Sequence, residues 1–166
     1  MTTLVSSPPI KYWGRTVDVL AFDGVQRGTE SQVIQHLVFE GSNGALVTGI
    51  QKLAQRFLME LMTEIGSIPH LPERGCLFMT QARYGYWRTV ADVRSAFYLG
   101  LFTVRTNLIR EEDEDTPTDE QFDTAELVAV SLYQDQVSLR VKIISKAGTS
   151  LDVIYPIRTS VVSTMP

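Results

Sequence analysis

An α+β fold is predicted by two helical stretches and by a run of alternating residues near the C-terminus. Apolar residues recur at i, i+3, i+4 and i+7 between residues 50 and 62 and again between residues 89 and 110, which is typical of amphipathic helices. From residue 126 to residue 157 apolar and polar residues alternate, as they do in strands. We therefore predict two amphipathic helices packed on a C-terminal antiparallel three-stranded sheet, with an extra N-terminal β-hairpin.

The composition fits one globular domain that folds without a metal or cofactor. The chain has 166 residues, of which 44% are hydrophobic and 20% charged, so it can bury a substantial core. Its single cysteine, Cys76, cannot form an intramolecular disulfide, and with only His36 and His70 no zinc site is expected. No apolar run approaches the length of about 20 residues that a membrane helix needs. We expect a soluble protein made in the cytosol.

The chain divides into three predicted parts. Residues 1–15 contain a Pro-Pro pair among polar neighbours and predict an extended arm. Residues 16–44 predict the N-terminal β-hairpin, with "TVDVLAF" and "QVIQHLVFE" as strands and "DGVQRGTES" as the turn. Residues 45–166 form the α+β domain.

The first helix leads into a stiff loop. Thr48 is expected to cap its start and Gly66 to end it in the left-handed conformation. The loop that follows contains Pro69, Pro72 and Gly75, so we predict a rigid bracket between two helices. Five polar residues are expected to lie off the apolar face of the helix: Gln51, Lys52, Gln55, Arg56 and Glu60.

The second helix begins with a capping signal and contains one unusual residue. Thr89 with Asp92 three positions later predicts a capping box. Gly100 costs about 1 kcal/mol relative to Ala inside a helix, which indicates a close contact with another element. Six apolar residues are expected to form one buried face: Val90, Val93, Phe97, Leu101, Val104 and Leu108.

Acidic residues are concentrated in one segment. Residues 111–126 hold nine of the nineteen acidic residues and no Lys or Arg, so the rest of the chain has 15 basic against 10 acidic residues, a balance of +5. A solvated loop is the simplest interpretation. A calcium loop is the sharper alternative, but Pro117 and Thr118 stand where a third oxygen ligand and a glycine are needed.

The C-terminal strands form a meander whose last strand contains a proline. The strands are "ELVAVSLY", "QVSLRVKIIS" and "SLDVIYPI". Because proline cannot donate to a strand ladder, Pro156 predicts an edge position for the last strand. Such an edge accepts a strand from another chain.

Candidate enzyme chemistry is sparse. Cys76 with His36 or His70 is a weak candidate for a nucleophile pair, since Cys76 lies next to apolar residues. Glu60, Glu64 and Glu73 are near enough in sequence for a glycosidase pair, although surface glutamates explain them more simply. The patch "QARYGYWRT" has the composition of a nucleic-acid or protein contact, and it is short in an acidic chain.

The segment "GIQKLAQRFLMELMTEIGSIPHLPERGCLF" resembles the signature of the baseplate wedge and sheath-initiator family of contractile-tailed bacteriophages, which includes lysozyme-like wedge proteins. Its members have a helix ending in "LLT", a glycine, and a proline-containing loop that closes in glycine. The C-terminal "DEQFDTAELVAVSLYQDQVSLRVKIISKAGTSLDVIYPI" looks like the terminal sheet of this family. The resemblance covers residues from about 45 to 158 and leaves out the N-terminal hairpin.

The resemblance implies a structural virion protein of the tail baseplate, assembled in the host cytoplasm and not an enzyme. Its partners would be the tail sheath protein and other baseplate wedge and hub or spike proteins, with multiple copies, about six per baseplate, and with no nucleic acid or membrane partner. A sheet edge would initiate sheath assembly. The alternatives are a tail-associated peptidoglycan hydrolase and a tail adaptor without sheath contact.

The sequence departs from the family at one motif. Many members have Glu-Pro-Arg after the second helix, whereas this chain has "NLIREEDEDTPTDE" there and Pro72-Glu73-Arg74 before that helix. The role of the motif is therefore not transferred to Pro72, Glu73 and Arg74, which we interpret as a bracket with partner contacts or a local ion pair. The residues predicted to bind partners are Glu73, Arg74, Arg110, Leu151, Val153, Ile154, Tyr155 and Ile157.

Overall fold

A computed structural model describes residues 16–19, 22–26, 33–37, 46–133 and 136–158. The predicted extended arm, residues 1–15, lies outside this part of the chain. The described helices are α1 (Gly49–Met62), α2 (Phe78–Arg83) and α3 (Val90–Arg110). The described strands are β1 (Asp18–Val19), β2 (Phe22–Gln26), β3 (Val33–Leu37), β4 (Leu46–Val47), β5 (Phe122–Leu132), β6 (Gln136–Ser145) and β7 (Ser150–Arg158).

The predicted α+β class and the C-terminal antiparallel sheet are confirmed. Strands β5, β6 and β7 pair in an antiparallel meander, and helices α1 and α3 pack against it. The N-terminal strands β2 and β3 pair with each other antiparallel, but β2 takes up Asp23 to Gln26, which were expected in the turn. The short α2 was not predicted.

The meander belongs to a larger sheet. Among the described strands its order is β2-β3-β7-β6-β5, and β3 pairs with β7 in parallel through Val33 with Val153 and Ile34 with Ile154. Strand β7 therefore lies between β3 and β6, and the prediction that it forms an edge is wrong at Val153 and Ile154. Pro156 lies beyond these paired residues, so its missing N–H removes no bond from that pairing.

Two bulges in β5 keep its apolar residues on the core face. The register with β6 skips Asp123 and Val128, and each extra residue changes which side of the strand the following residues face. The residues of β5 that oppose the core-facing residues of β6 are Phe122, Ala125, Leu127, Val130 and Leu132.

The core lies between the helices and the meander. The Phe57 ring of α1 stacks on the Phe122 ring of β5, with 5.8 Å between centroids. On α2, Phe78 packs against Trp87 at 4.5 Å and edge-on against Phe97 of α3 at 6.4 Å. These aromatic contacts hold α1 to the sheet and the unpredicted α2 to α3.

The ends of α1 differ from the prediction. The Thr48 side chain makes no capping hydrogen bond, and the helix ends at Met62 rather than at Gly66. Thr63 is extended, and both its N–H and its hydroxyl donate to the Met59 carbonyl. These bonds satisfy an orphan carbonyl and turn the chain away four residues earlier than expected.

The start of α3 and the contact at Gly100 agree with the sequence. Thr89 accepts from the Asp92 N–H while the Asp92 carboxylate accepts from the Thr89 N–H, so the capping box is confirmed. A Cβ on Gly100 would lie 3.2 Å from the Cys76 Sγ and 3.3 Å from the Phe78 Cβ. The glycine therefore lets α3 approach α2 and the chain before it.

The loop glycines provide a matched test of close packing. Gly66 and Gly75 both have positive φ, but a Cβ on Gly66 meets nothing within 4 Å, whereas one on Gly75 would lie 2.2 Å from the Thr63 carbonyl oxygen. We predict that Gly66→Ala lowers the free energy of unfolding by about 1 kcal/mol and Gly75→Ala by roughly 3 kcal/mol or more. Urea unfolding of both variants measures this difference, and equal losses would contradict it.

Candidate functional site

The carboxylate of Glu60 is buried at the junction of α1, the following loop and α3. Glu60 is only 5% exposed, although the sequence placed it off the apolar face. Its oxygens accept from the Arg74 Nε at 2.8 Å, from the Gly75 N–H at 3.1 Å and from the Asn107 Nδ2 at 3.1 Å. Because a buried charge is costly without partners, these three donors explain how the polar residue is tolerated inside.

Arg74 extends this junction to the end of α3. Besides Glu60, its guanidinium pairs with the Glu111 carboxylate. Glu111 also accepts from the Arg56 Nη2 of α1 at 3.1 Å. Arg74, predicted as a partner contact or a local ion pair, therefore makes ion pairs within its own chain.

Asn107 connects α3 to the loop and to a second arginine. Its amide also donates to the Glu73 carbonyl at 3.4 Å, and its oxygen accepts from the Arg110 Nη2 at 3.3 Å. The Glu73 side chain is exposed. Of the predicted residues Glu73, Arg74 and Arg110, all three thus lie around one junction, which we name the Glu60 junction (Glu60, Arg74, Gly75, Asn107 and Glu111).

Backbone hydrogen bonds close the loop between α1 and α2. Cys76 donates to the Thr63 carbonyl at 2.9 Å and Ile65 donates to the Cys76 carbonyl at 3.2 Å, and these two bonds bring the ends of the loop together. Across the loop, Gly66 donates to the Pro72 carbonyl at 3.0 Å. The loop that contains Gly66, Pro69, Pro72 and Gly75 is therefore tied at several points, in addition to its bond to Glu60.

A second buried carboxylate, Glu120, caps α1 from a distant part of the chain. Glu120 is 1% exposed and accepts from the Gly49 N–H at 3.0 Å and from the Lys52 Nζ at 3.1 Å, as well as from the Thr16 hydroxyl. Its negative charge lies where the helix dipole is positive. Glu120 therefore caps the start of α1, which is the role predicted for Thr48.

The acidic segment is only partly a solvated loop. The Glu112 carboxylate accepts from the Phe122 N–H at 2.6 Å and pairs with Lys146 at 2.7 Å. With the contacts of Glu111 and Glu120, it ties the connection from α3 to β5. The solvated-loop prediction is wrong for Glu112 and Glu120 and correct for Asp113, Glu114 and Asp115, which are exposed.

Most of the partner-binding residues predicted on β7 face the core. Val153, Tyr155 and Ile157 are buried, and Leu151 packs partly against the same core. Ile154 points to the other face and is half-buried. This strand therefore contributes its side chains chiefly to packing, and its neighbour on the outer side is β3.

Three candidates for enzyme chemistry, Cys76, Glu60 and Glu64, are bound within the chain. Cys76 is buried, and its thiol donates to the Leu61 carbonyl at 3.4 Å. Both oxygens of Glu60 bind groups of its own chain, and Glu64 pairs with Arg83 at 3.0 Å. Glu73 is exposed on the loop. The other two candidate glutamates, Glu60 and Glu64, are both paired with arginines, so neither can act with Glu73 as a second carboxylate.

Two exposed surfaces were missed by the sequence reasoning. Strand β5 ends the described sheet, because β6 is its one strand partner there. Helix α3 carries Tyr98, Leu99 and Phe102 on its exposed side. These apolar residues were visible in the sequence off the predicted buried face, and they are the signal that was overlooked.

Searches of protein-family models, of curated proteins and of solved structures each found no match. Within residues 16–158, where described, no helix is both long and apolar enough to span a bilayer. The same described ranges hold no cluster of three or more His, Cys, Asp or Glu side chains that could bind a metal ion.

We predict that Glu60→Gln lowers the free energy of unfolding by about 2 to 4 kcal/mol, because it leaves Arg74 without its buried counter-charge. Glu64→Gln is the matched control. It removes a pair whose arginine is 59% exposed, so its cost should stay within about 1 kcal/mol. Urea unfolding followed by circular dichroism measures both variants, and similar losses would show that the Glu60 junction is not special.

We also predict that Cys76 makes stability fall at high pH. Burial raises the pKa of its thiol from 9.0 to about 11. Between these pH values the unfolded chain releases the proton and the folded chain keeps it, so the free energy of unfolding decreases as pH rises, by on the order of 2 kcal/mol. Unfolding of the wild type and of Cys76→Ala from pH 8 to pH 11 tests this: the variant should lose less stability. Parallel curves would contradict the assignment.

Proposed function

We propose that this protein is a baseplate wedge subunit of a contractile phage tail, which binds wedge and hub neighbours and offers a sheet edge on which sheath assembly begins. The proposed class of protein comes from the resemblance of the helix-loop segment and the terminal meander to the baseplate wedge and sheath-initiator family. We propose that β5 is the edge on which sheath assembly begins, because β7 lies between β3 and β6.

The observation that carries the proposal is the position and length of β5. It has eleven residues, pairs with β6 on one side, and has no strand partner on its other side among the described residues. An exposed edge presents unpaired N–H and C=O groups that pair with a strand of another chain. A structural subunit that receives a neighbour's strand needs an edge of this kind.

The edge also carries features that restrict which strand can join. The bulges at Asp123 and Val128 interrupt its regular pairing, and bulges and charges are devices by which edge strands avoid unspecific association. Asp123 and Glu126 are exposed on the first half of the strand. A partner strand with Lys or Arg at the facing positions complements them.

The Glu60 junction supports a structural role over the hydrolase alternative. A glycosidase needs two carboxyl groups that reach the substrate, whereas both oxygens of Glu60 are occupied by Arg74, Gly75 and Asn107. The same contacts make a rigid frame that holds α1, the loop after it and α3 together. A frame of this kind suits a subunit that must hold its shape under load.

The test is seeded assembly of the sheath subunit of the same phage, counted by electron microscopy. We predict that the wild-type protein increases the number of sheath rings and tubes, and that the double variant Val128→Lys with Ala129→Lys reduces the seeding about tenfold or more, because charge at an edge opposes strand addition. The matched control is Ala147→Lys, which adds charge in the exposed turn after β6 and should seed normally.

Two results would contradict the proposal. In the first, wild type and the β5 double variant seed sheath equally, so that the edge is not used. In the second, the wild type has no effect on sheath and instead releases soluble fragments from purified peptidoglycan, which would favour the hydrolase.

A further inference from the structure

The outward side of α3 is apolar although it covers no part of the described core. Phe102 is 76% exposed and Leu99 65%, and Tyr98 and Ile109 are exposed beside them. The inward side of the same helix is already filled by other apolar residues, which are buried: Val93, Phe97, Val104 and Leu108. Several large apolar side chains exposed on one side of a helix indicate a contact surface.

Helix geometry arranges these residues in one stripe. With about 100° of rotation per residue, Tyr98, Phe102 and Ile109 fall along the middle of the outward half, and Leu99 lies to one side. From Tyr98 to Ile109 the stripe is about 16 Å long, at a rise of about 1.5 Å per residue. We name this surface the α3 stripe (Tyr98, Leu99, Phe102 and Ile109). Its length matches about three turns of a helix laid along α3.

The border of the stripe opposite Leu99 is basic. Arg94 and Arg105 lie within about 20° of each other around the helix axis, both are exposed, and neither forms an ion pair with a described residue. Within α3 the one acidic residue is Asp92, whose carboxylate accepts from the N–H groups of Arg88 and Thr89 at the start of the helix. The stripe therefore presents positive charge without a compensating acid of its own.

We propose that the α3 stripe binds an amphipathic helix of another protein, one whose apolar face is bordered by Asp or Glu. The apolar side chains supply the contact area, and the acidic border pairs with Arg94 and Arg105. This proposal concerns residues other than those of the β5 edge, and it stands whether or not the protein is a baseplate subunit.

Charge also decides between this occupant and two others. If two copies joined through antiparallel α3 stripes, the arginine borders of both would be brought together, which is unfavourable. In a parallel pair each arginine border would face the Leu99 border of the other copy, and the one acid of that helix, Asp92, is already bound by N–H groups at the start of α3. A membrane-bound amphipathic helix is rich in Lys and Arg along its polar face, whereas the border of the α3 stripe carries two arginines, Arg94 and Arg105.

Two synthetic helical peptides provide the probes. Each has about 16 residues with Leu at i, i+3, i+4 and i+7; one has Glu along the border of the stripe and the other has Lys. Fluorescence anisotropy measures their binding to the full chain. We expect the Glu peptide to bind about tenfold more tightly than the Lys peptide. Phe102→Ser should weaken that binding about tenfold, while Leu77→Ser, which alters an exposed leucine outside α3, should leave it unchanged.

A charge swap shows whether the border sets the choice. The double variant Arg94→Glu with Arg105→Glu should prefer the Lys peptide, a result that loss of folding cannot produce. Equal affinity of the two peptides, or no binding of either, would overturn the proposal. So would dimerisation in sedimentation that Phe102→Ser abolishes, or binding to vesicles of equal parts phosphatidylcholine and phosphatidylglycerol that the same variant abolishes.

Discussion

The buried carboxylate of Glu60 is the constraint on which the arrangement of the helices depends. A charge that is 5% exposed needs compensating donors, and its three donors come from Arg74 and Gly75 in the loop and from Asn107 in α3. The loop can reach Glu60 only by folding back along α1, and α3 only by lying beside it. One side chain therefore fixes the relative positions of α1, the loop that follows it and the distant helix α3.

Glu120 sets the other end of the same helix. Glu120 lies in the turn before β5 and binds the N-terminus of α1. Glu60 lies in the last turn of α1 and binds the loop and α3 there. Glu111 and Glu112 tie the intervening chain to Arg74 and Lys146. The acidic segment was predicted to be a solvated loop, but its contacts hold α3, α1 and β5 in fixed positions relative to one another. This frame positions the two surfaces proposed to bind other proteins, the β5 edge and the α3 stripe.

The elements that depend on local pattern were predictable from the sequence. The alternation of apolar and polar residues placed β6 correctly at residues 136–145, and the Thr89 and Asp92 pair located the start of α3. Both signals lie within a few residues of the structure they specify. The bulges of β5 were not predicted. The sequence does contain their signal: Phe122 and Ala125, and Leu127 and Val130, are successive core-facing residues that lie three positions apart instead of two.

Features that depend on distant contacts were not predictable. The pairing of β3 with β7 joins residues on opposite sides of the helices in sequence, and nothing in either strand specifies it. The apolar periodicity of α1 assigned Gln55 and Glu60 to the outward side, because periodicity depends on hydrophobicity alone. It carries no information on their distant partners, which are Asp18 for Gln55 and Arg74 and Asn107 for Glu60. The candidate sites were missed for a different reason: β5 is the first strand of the predicted meander and the apolar residues of α3 are visible in the sequence, but the prediction took Pro156 as the mark of the edge.

A double-mutant cycle between Glu60 and Arg74 is the most direct measurement of the central claim. Glu60→Gln, Arg74→Met and the double variant are unfolded in urea and compared with the wild type. If the pair holds the frame, the double variant loses less stability than the sum of the single variants, with a coupling energy of about 1 to 3 kcal/mol. Additive losses, to within about 0.5 kcal/mol, would show that the two residues act independently and that the frame is held elsewhere.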